Sequence, residues 1–218
     1  TDDPTPGINI GTGITDTPKL YVDGTEVPAT YDPVAGTLTP DTPLADGGPY
    51  EFTYTLTDGP GNESVPSDPL PITIDTAAPA VTIADVPTTN DTTPELTGTV
   101  DDPDAAVVVT ISGKDYDATN NGDGTWTLAD DAIDPLSDGT TTATVKATDV
   151  AGNSSTSTGS IEIDASAPGK PTTPTDYNDN EGPITDPNSN ALVTDDPTPG
   201  INIGTGITDT PKLYVDGT

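Results

Sequence analysis

Residues 50–57 read Tyr50-Glu-Phe-Thr-Tyr-Thr-Leu-Thr57. Every second side chain is large and apolar, and the others are Glu or Thr. In an extended chain successive side chains point to opposite faces, so Tyr50, Phe52, Tyr54 and Leu56 share one face of a half-buried strand. The same period of two runs more weakly through Thr142-Ala-Thr-Val-Lys-Ala-Thr148, Pro71-Ile-Thr-Ile-Asp75 and Ser160-Ile-Glu-Ile-Asp164. The 25 Pro and 22 Gly punctuate these segments and leave no room for a long amphipathic helix. Short strands between turns, without helices, predict an all-β chain built as a sandwich or barrel.

Two repeats organise the strands. Residues 1–25 and 194–218 are identical, 193 positions apart, which predicts a tandem array with a long unit and chain ends that are cut points inside a repeat. Inside that unit a fainter echo recurs. Ile72-Thr-Ile-Asp75-Thr-Ala-Ala-Pro79 matches Ile161-Glu-Ile-Asp164-Ala-Ser-Ala-Pro168. Thr57-Asp58-Gly-Pro-Gly-Asn62 matches Thr148-Asp149-Val-Ala-Gly-Asn153, and Thr5-Pro6-Gly-Ile8 matches Thr93-Pro94-Glu-Leu96. Each long unit therefore holds two related domains, both of a size suited to one immunoglobulin-like sandwich of about 100 residues. The expected boundaries are 1–75 for a domain lacking its N-terminal segment, 76–164 for a complete one, and 165–218 for the start of a third that repeats the first. A sheet missing a strand presents an open edge. The expected partners are therefore neighbouring repeats of the same chain, with head-to-tail contact between chains as a way to complete the truncated domain.

The composition of these 218 residues narrows the chemistry. Net charge is −32, from 37 acidic and 5 basic side chains, and 30% of residues are hydrophobic. Such a composition is also that of a disordered chain, but the regular alternation argues against disorder here. With no Cys and no His, disulfides, thiolate metal sites and the commonest general base are all missing. No apolar run approaches the roughly 20 residues that span a bilayer, and no signal peptide is visible. Phosphate neutralisation needs Lys and Arg, so nucleic acid and anionic membrane surfaces are poor partners. The charge points to cations.

In the complete domain the strands are expected near 80–83, 95–100, 106–112, 114–119, 125–128, 142–148 and 156–163. Trp126 reads as core beside Leu128, with ligand stacking as the sharper alternative. In a sandwich of this order the loop Asp101-Asp102-Pro-Asp104, the loop carrying Asp149 and Asn153, and the incoming linker with Asp75 meet at one end. Carboxylates gathered there repel one another at short range. A hard cation taking six to eight oxygens relieves that repulsion, and Ca2+ suits flexible loop oxygens better than Mg2+. By the internal repeat, Asp58 and Asp164 occupy the corresponding places of neighbouring junctions. The long domain adds Asp2 and Asp3, their copies Asp195 and Asp196, and an acidic insertion with Asp176, Asp179 and Glu181. The bland reading of any one of these is a solvated turn residue.

Asp75-Thr-Ala-Ala-Pro-Ala-Val-Thr-Ile83, Asn90-Asp-Thr-Thr-Pro-Glu-Leu-Thr-Gly-Thr99, Asn121-Gly-Asp-Gly-Thr-Trp-Thr-Leu128 and Ala147-Thr-Asp-Val-Ala-Gly-Asn-Ser154 together closely resemble bacterial Ig-like repeats. These are the extender modules of giant RTX-type adhesins of Gram-negative bacteria, biofilm and ice-binding adhesins among them. Asp179-Asn-Glu-Gly-Pro-Ile-Thr185 and Thr194-Asp-Asp-Pro-Thr-Pro199 are similar to a variant of the module. The resemblance implies a secreted cell-surface filament, stiffened by Ca2+ at the linkers and set between an anchor and a distal ligand-binding tip. The alternative is a carbohydrate- or ice-binding module of the same class, since outward Thr rows can order water. Thr is also simply a good residue for the solvated face of a strand. An enzyme is not expected: no nucleophile motif, phosphate loop or catalytic His exists, and with 37 acidic residues a carboxylate pair carries no information.

Overall fold

The computed structural model describes residues 1–179, 186–189, 196–205 and 207–215. Contacts divide the chain into two compact units, Thr1–Ala165 and Ser166–Thr218. The described residues contain strands and turns and no helix, as the alternation predicts.

The first unit carries two hydrophobic cores. The first is wrapped by β1 (Ile8–Asn9), β2 (Thr17–Val22), β3 (Thr25–Val27), β4 (Ala29–Asp32), β5 (Thr37–Pro40), β6 (Gly47–Thr57) and β7 (Leu70–Ile74). They form a four-stranded sheet ordered β3-β2-β6-β7 and a three-stranded sheet ordered β1-β5-β4. Ile8, Leu20, Val22, Leu38 and Phe52 are buried between them. The opening octapeptide lies in β6, where Phe52 is buried and Glu51 is exposed, and its partner Val22 in β2 is buried too.

The second core is wrapped by β8 (Leu96–Thr99), β9 (Ala106–Ile111), β10 (Lys114–Asn120), β11 (Thr125–Leu128), β12 (Gly139–Thr148) and β13 (Ser154–Ile163). Their order is β13-β12-β9-β10-β11-β8. The early part of β10 pairs with β9, whereas Thr119 and Asn120 pair with β11. One strand thus carries the chain from one layer to the other. The first core makes the same passage with two strands, because Pro28 sits between β3 and β4. Proline has no N–H to continue a ladder, so the strand breaks there.

Residues 80–83 form no full strand. Val81 makes a single antiparallel bridge to Val100, extended by Thr82 N–H to Thr99 O (2.9 Å) and Ala84 N–H to Thr97 O (2.8 Å). This segment closes the outer edge of β8 and is fixed from within. Trp126 is fully buried, as the core reading expects, and its indole N–H donates to Thr82 O at 2.8 Å. Gly98 makes room for this: a Cβ there would lie 2.0 Å from Thr82 O and 2.5 Å from Trp126 Nε1.

The second unit contains β14 (Tyr177–Asp179), β15 (Asp186–Ser189) and β16 (Gly200–Ile201), ordered β15-β14-β16. Residues 207–215 repeat residues 14–22 of the first core, yet their environment differs. Leu213 and Val215 are 69% and 65% exposed, whereas their sequence twins Leu20 and Val22 are 0% and 7%.

Candidate functional site

The candidate site is the junction within the first unit where Ile74 ends β7 and the chain enters the second core. Asp149-Val-Ala-Gly-Asn153 joins β12 to β13 there. Gly152 has φ +109°, in the region that favours glycine. The Asp149 carboxylate folds back on its own loop. Its Oδ1 accepts from Gly152 N–H (2.7 Å) and Asn153 N–H (2.8 Å), and its Oδ2 accepts from Asn153 Nδ2 (2.8 Å). Hydrogen bonds to the charged form favour it, so the Asn153 amide above all holds the Asp149 carboxyl below the usual carboxylate range. The same Asn153 amide donates to Asp75 O at 2.7 Å. A loop of the second core thereby clasps the linker leaving the first.

Further bonds flank this clasp. Ser155 Oγ donates to Pro79 O, and Ala80 N–H donates to Asp101 Oδ1 at 2.7 Å. Thr76 donates to Asp46 Oδ1 through both its N–H (2.9 Å) and its hydroxyl (2.8 Å), and Asp75 N–H donates to Thr1 O at 2.9 Å. Asp2 reaches the loop as well: a Cβ on Gly152 would meet its Oδ2 at 3.6 Å. The Asp75 backbone, Asp149, Asn153 and Asp2 thus meet at one place, and Asp101, in the loop between β8 and β9, is bonded to the same linker.

The remaining expected ligands are placed as follows. Asp102 Oδ1 accepts from Asp104 N–H (2.9 Å), and Asp102 O accepts from Asn120 Nδ2 (2.9 Å). Asp58 makes with Asn62 the turn that Asp149 makes with Asn153, and the Asn62 amide lowers its carboxyl likewise. Asp164 N–H donates to Thr89 O at 2.9 Å, the counterpart of Asp75 to Thr1. Asp3 and Asp196 each accept from the Thr two positions on, at 2.8 and 2.7 Å. Asp176 O accepts from Asn202 N–H at 3.3 Å. Asp179 closes β14. Glu181 and Asp195 lie outside the described residues.

Among the described residues no three carboxylates gather so as to cage an ion by side chains alone. The donors at the junction are nevertheless carboxylate, amide and carbonyl oxygens, the kind a hard cation takes. A cation there would draw on carbonyls and water besides Asp side chains.

Sequence reasoning passed over two features. Asp130 lies near Asp91 and Asp131; burial first, then the charges of those two neighbours, raises its carboxyl. Asp91 Oδ1 also accepts from Thr93 N–H at 2.9 Å, as Asp3 and Asp196 do from their threonines. The recurrent Asp-x-Thr-Pro was the available signal. In the first core, Glu63 accepts from Thr55 Oγ1 (2.6 Å), Tyr21 Oη (2.6 Å) and Lys19 Nζ (2.9 Å). These three donors, Thr55 foremost, bring its carboxyl down to about 2.

No curated protein sequence matches the chain. Among solved structures, the chain is similar to the fibronectin(III)-like modules of CbhA from Clostridium thermocellum, at 14% identity over 75% of this chain and 81% of that one, with a TM-score of 0.41. It is also similar to a Ca2+-stabilized adhesin of an Antarctic bacterium that binds ice, at 25% identity over 72% and 41%, TM-score 0.34. A tetra-tandem repeat from the extending region of a large adhesion protein follows, at 23% identity over 71% and 43%, TM-score 0.40. The chain thus spans about four-tenths of each of these two adhesin structures. Residues 84–165, which run through all six strands from β8 to β13, match the model of the bacterial Ig-like domain family.

Proposed function

We propose that the chain is a structural extender of a large bacterial surface adhesin. It acts outside the cell as a spacer, holding a distal ligand-binding region away from the surface, and performs no catalysis. The observation that carries this reading is the clasp at the junction. A linker of a few residues joins two sandwiches, and Asn153, Ser155 and Asp46 tie down its backbone and Thr76. Such a joint resists bending, as a spacer requires. The bacterial Ig-like match supports the same role. Neighbouring repeats are then the natural partners, in one chain or head to tail between copies.

Ca2+ at the junctions belongs to the proposal. Asp75, Asp149, Asp2 and Asp101 would supply oxygens beside the linker carbonyls, and the ion would neutralise part of a net charge of −32. An ion bound only by the folded state stabilises it by mass action, about 1.4 kcal/mol for each tenfold excess over its dissociation constant. Thermal unfolding in millimolar Ca2+ and then in excess EDTA, with small-angle scattering at each condition, tests this. The expected result is a lower Tm and a shorter, more flexible particle in EDTA. An unchanged Tm and an unchanged scattering profile would remove Ca2+ from the mechanism.

A further inference from the structure

We propose that residues 80–89 and the end of β13 form a tension-bearing clamp, which sets how long the second core survives a pull along the chain. The proposal rests on the spacer reading, since a spacer between an anchor and a tip carries whatever pull acts between them.

The chain enters the second core through the linker at Asp75 and leaves it at Asp164. Residues 80–84 lie along β8. Asp101 N–H donates to Ala80 O (3.2 Å), Thr82 N–H to Thr99 O (2.9 Å) and Ala84 N–H to Thr97 O (2.8 Å). By Thr89 the segment has passed to the opposite edge, where it pairs parallel with Ile163. Thr89 N–H donates to Glu162 O (3.1 Å), and Thr89 O accepts from Asp164 N–H (2.9 Å). Strands β8 and β13 are the two ends of the strand order, so the entering segment is tied to both layers. Two contacts hold it in between. The Trp126 indole N–H pins Thr82 O, and Ile83 packs on the backbone of β13, where a Cβ on Gly159 would lie 2.7 Å from Ile83 Cγ2.

Direction decides what these bonds bear. Residues 80–89 and β13 run the same way. A pull on the linker and on Asp164 therefore drags them in opposite senses along their own axes. Hydrogen bonds between strands run across those axes, so the pull loads them in shear and they share it. A hairpin peeled from its open end would lose them one at a time. From the other side Ala165 N–H donates to Asp138 Oδ1 at 2.9 Å and steadies the end of β13. The first core repeats the arrangement: Thr1 donates to Thr73 O and accepts from Asp75 N–H, both at 2.9 Å, and Thr76 N–H donates to Asp46.

Unfolding of the full chain at constant force, held by its two ends in optical tweezers, tests the proposal alongside calorimetry of the same variants. The second core is recognised by the longest extension step. Thr89→Pro removes the N–H that bonds Glu162 O. Trp126→Phe removes the pin on Thr82 O, keeps an aromatic core, and preserves the test if Thr89→Pro does not fold. Each should shorten the lifetime of the second core under force about fivefold or more, the worth of one net neutral hydrogen bond. Ile111→Val, in the interior strand β9, lowers Tm by packing loss. Its site is still packed when the clamp gives, so its lifetime under force should stay close to that of the unaltered chain. Lifetimes that follow Tm alike in all three variants, or clamp variants that last as long as the unaltered chain, overturn the proposal. Rupture is read inside one core and the EDTA melt at the joints, so either reading can fail without the other.

Discussion

The junction can be weighed with one pair of variants. Asn153 and Asn62 occupy matching turns, and each amide donates to the Asp four residues before it, at 2.8 and 2.9 Å. Only Asn153 also donates across to the linker, to Asp75 O at 2.7 Å. Replacing either by Ala removes the local bond, and the difference between the two isolates the clasp. A neutral amide-to-carbonyl bond contributes about 1 kcal/mol net. The half-buried setting of Asn153 and Asp75 keeps the value near that figure, since water can partly replace the lost donor. For a unit the size of Thr1–Ala165, 1 kcal/mol corresponds to about 2–4 °C in Tm. Asn153→Ala should therefore melt about 2–4 °C below Asn62→Ala by calorimetry, and scattering should show a more flexible particle for Asn153→Ala alone. Equal Tm values and equal scattering would refute the argument that this bond couples the two cores.

Other expectations follow from single side chains. Gly98→Ala forces a Cβ onto Thr82 O, so it should cost about 3 kcal/mol and red-shift Trp126 fluorescence as residues 80–84 leave the edge. The carboxyl of Glu63 is depressed from 4.5 to about 2, so its contribution is complete above pH 4.5 and fades as pH falls toward 2. Glu63→Gln should flatten that part of the stability-versus-pH curve; an unchanged slope would count against the three-donor site. The carboxyl of Asp130 is raised, so its charged form opposes folding at neutral pH. Asp130→Asn should raise Tm at pH 7 and lose that advantage in acid, and a lower Tm at pH 7 would contradict the origin assigned to the shift.

The strands were legible because alternation is a local signal: Phe52 and Glu51 part to opposite faces within one octapeptide, and β9, β11 and β12 do likewise. Trp126 was legible as core for a similar reason, being the one large aromatic in a short alternating run. What the letters left open was the use of each carboxylate. Asp149-Val-Ala-Gly-Asn153 serves a cation as well as it serves a turn, because the same oxygens accept from an N–H or ligate an ion. Only the path of the backbone shows that Asp149 receives three N–H bonds from its own loop while Asn153 reaches across to Asp75. The crowding of Asp91 with Asp130 and Asp131 was hidden for a complementary reason. Nearly forty positions separate them, and they meet because Asp131 N–H donates to Thr93 O at 3.0 Å. A position at φ +62° lets Asp131 turn into that contact, and no sequence period encodes it. Duplication made up part of the deficit. With residues 1–25 written again at 194–218, one sequence appears in two settings, buried at Leu20 and exposed at Leu213. Leu20 is buried because Leu38 and Phe52, from strands far along the chain, pack around it.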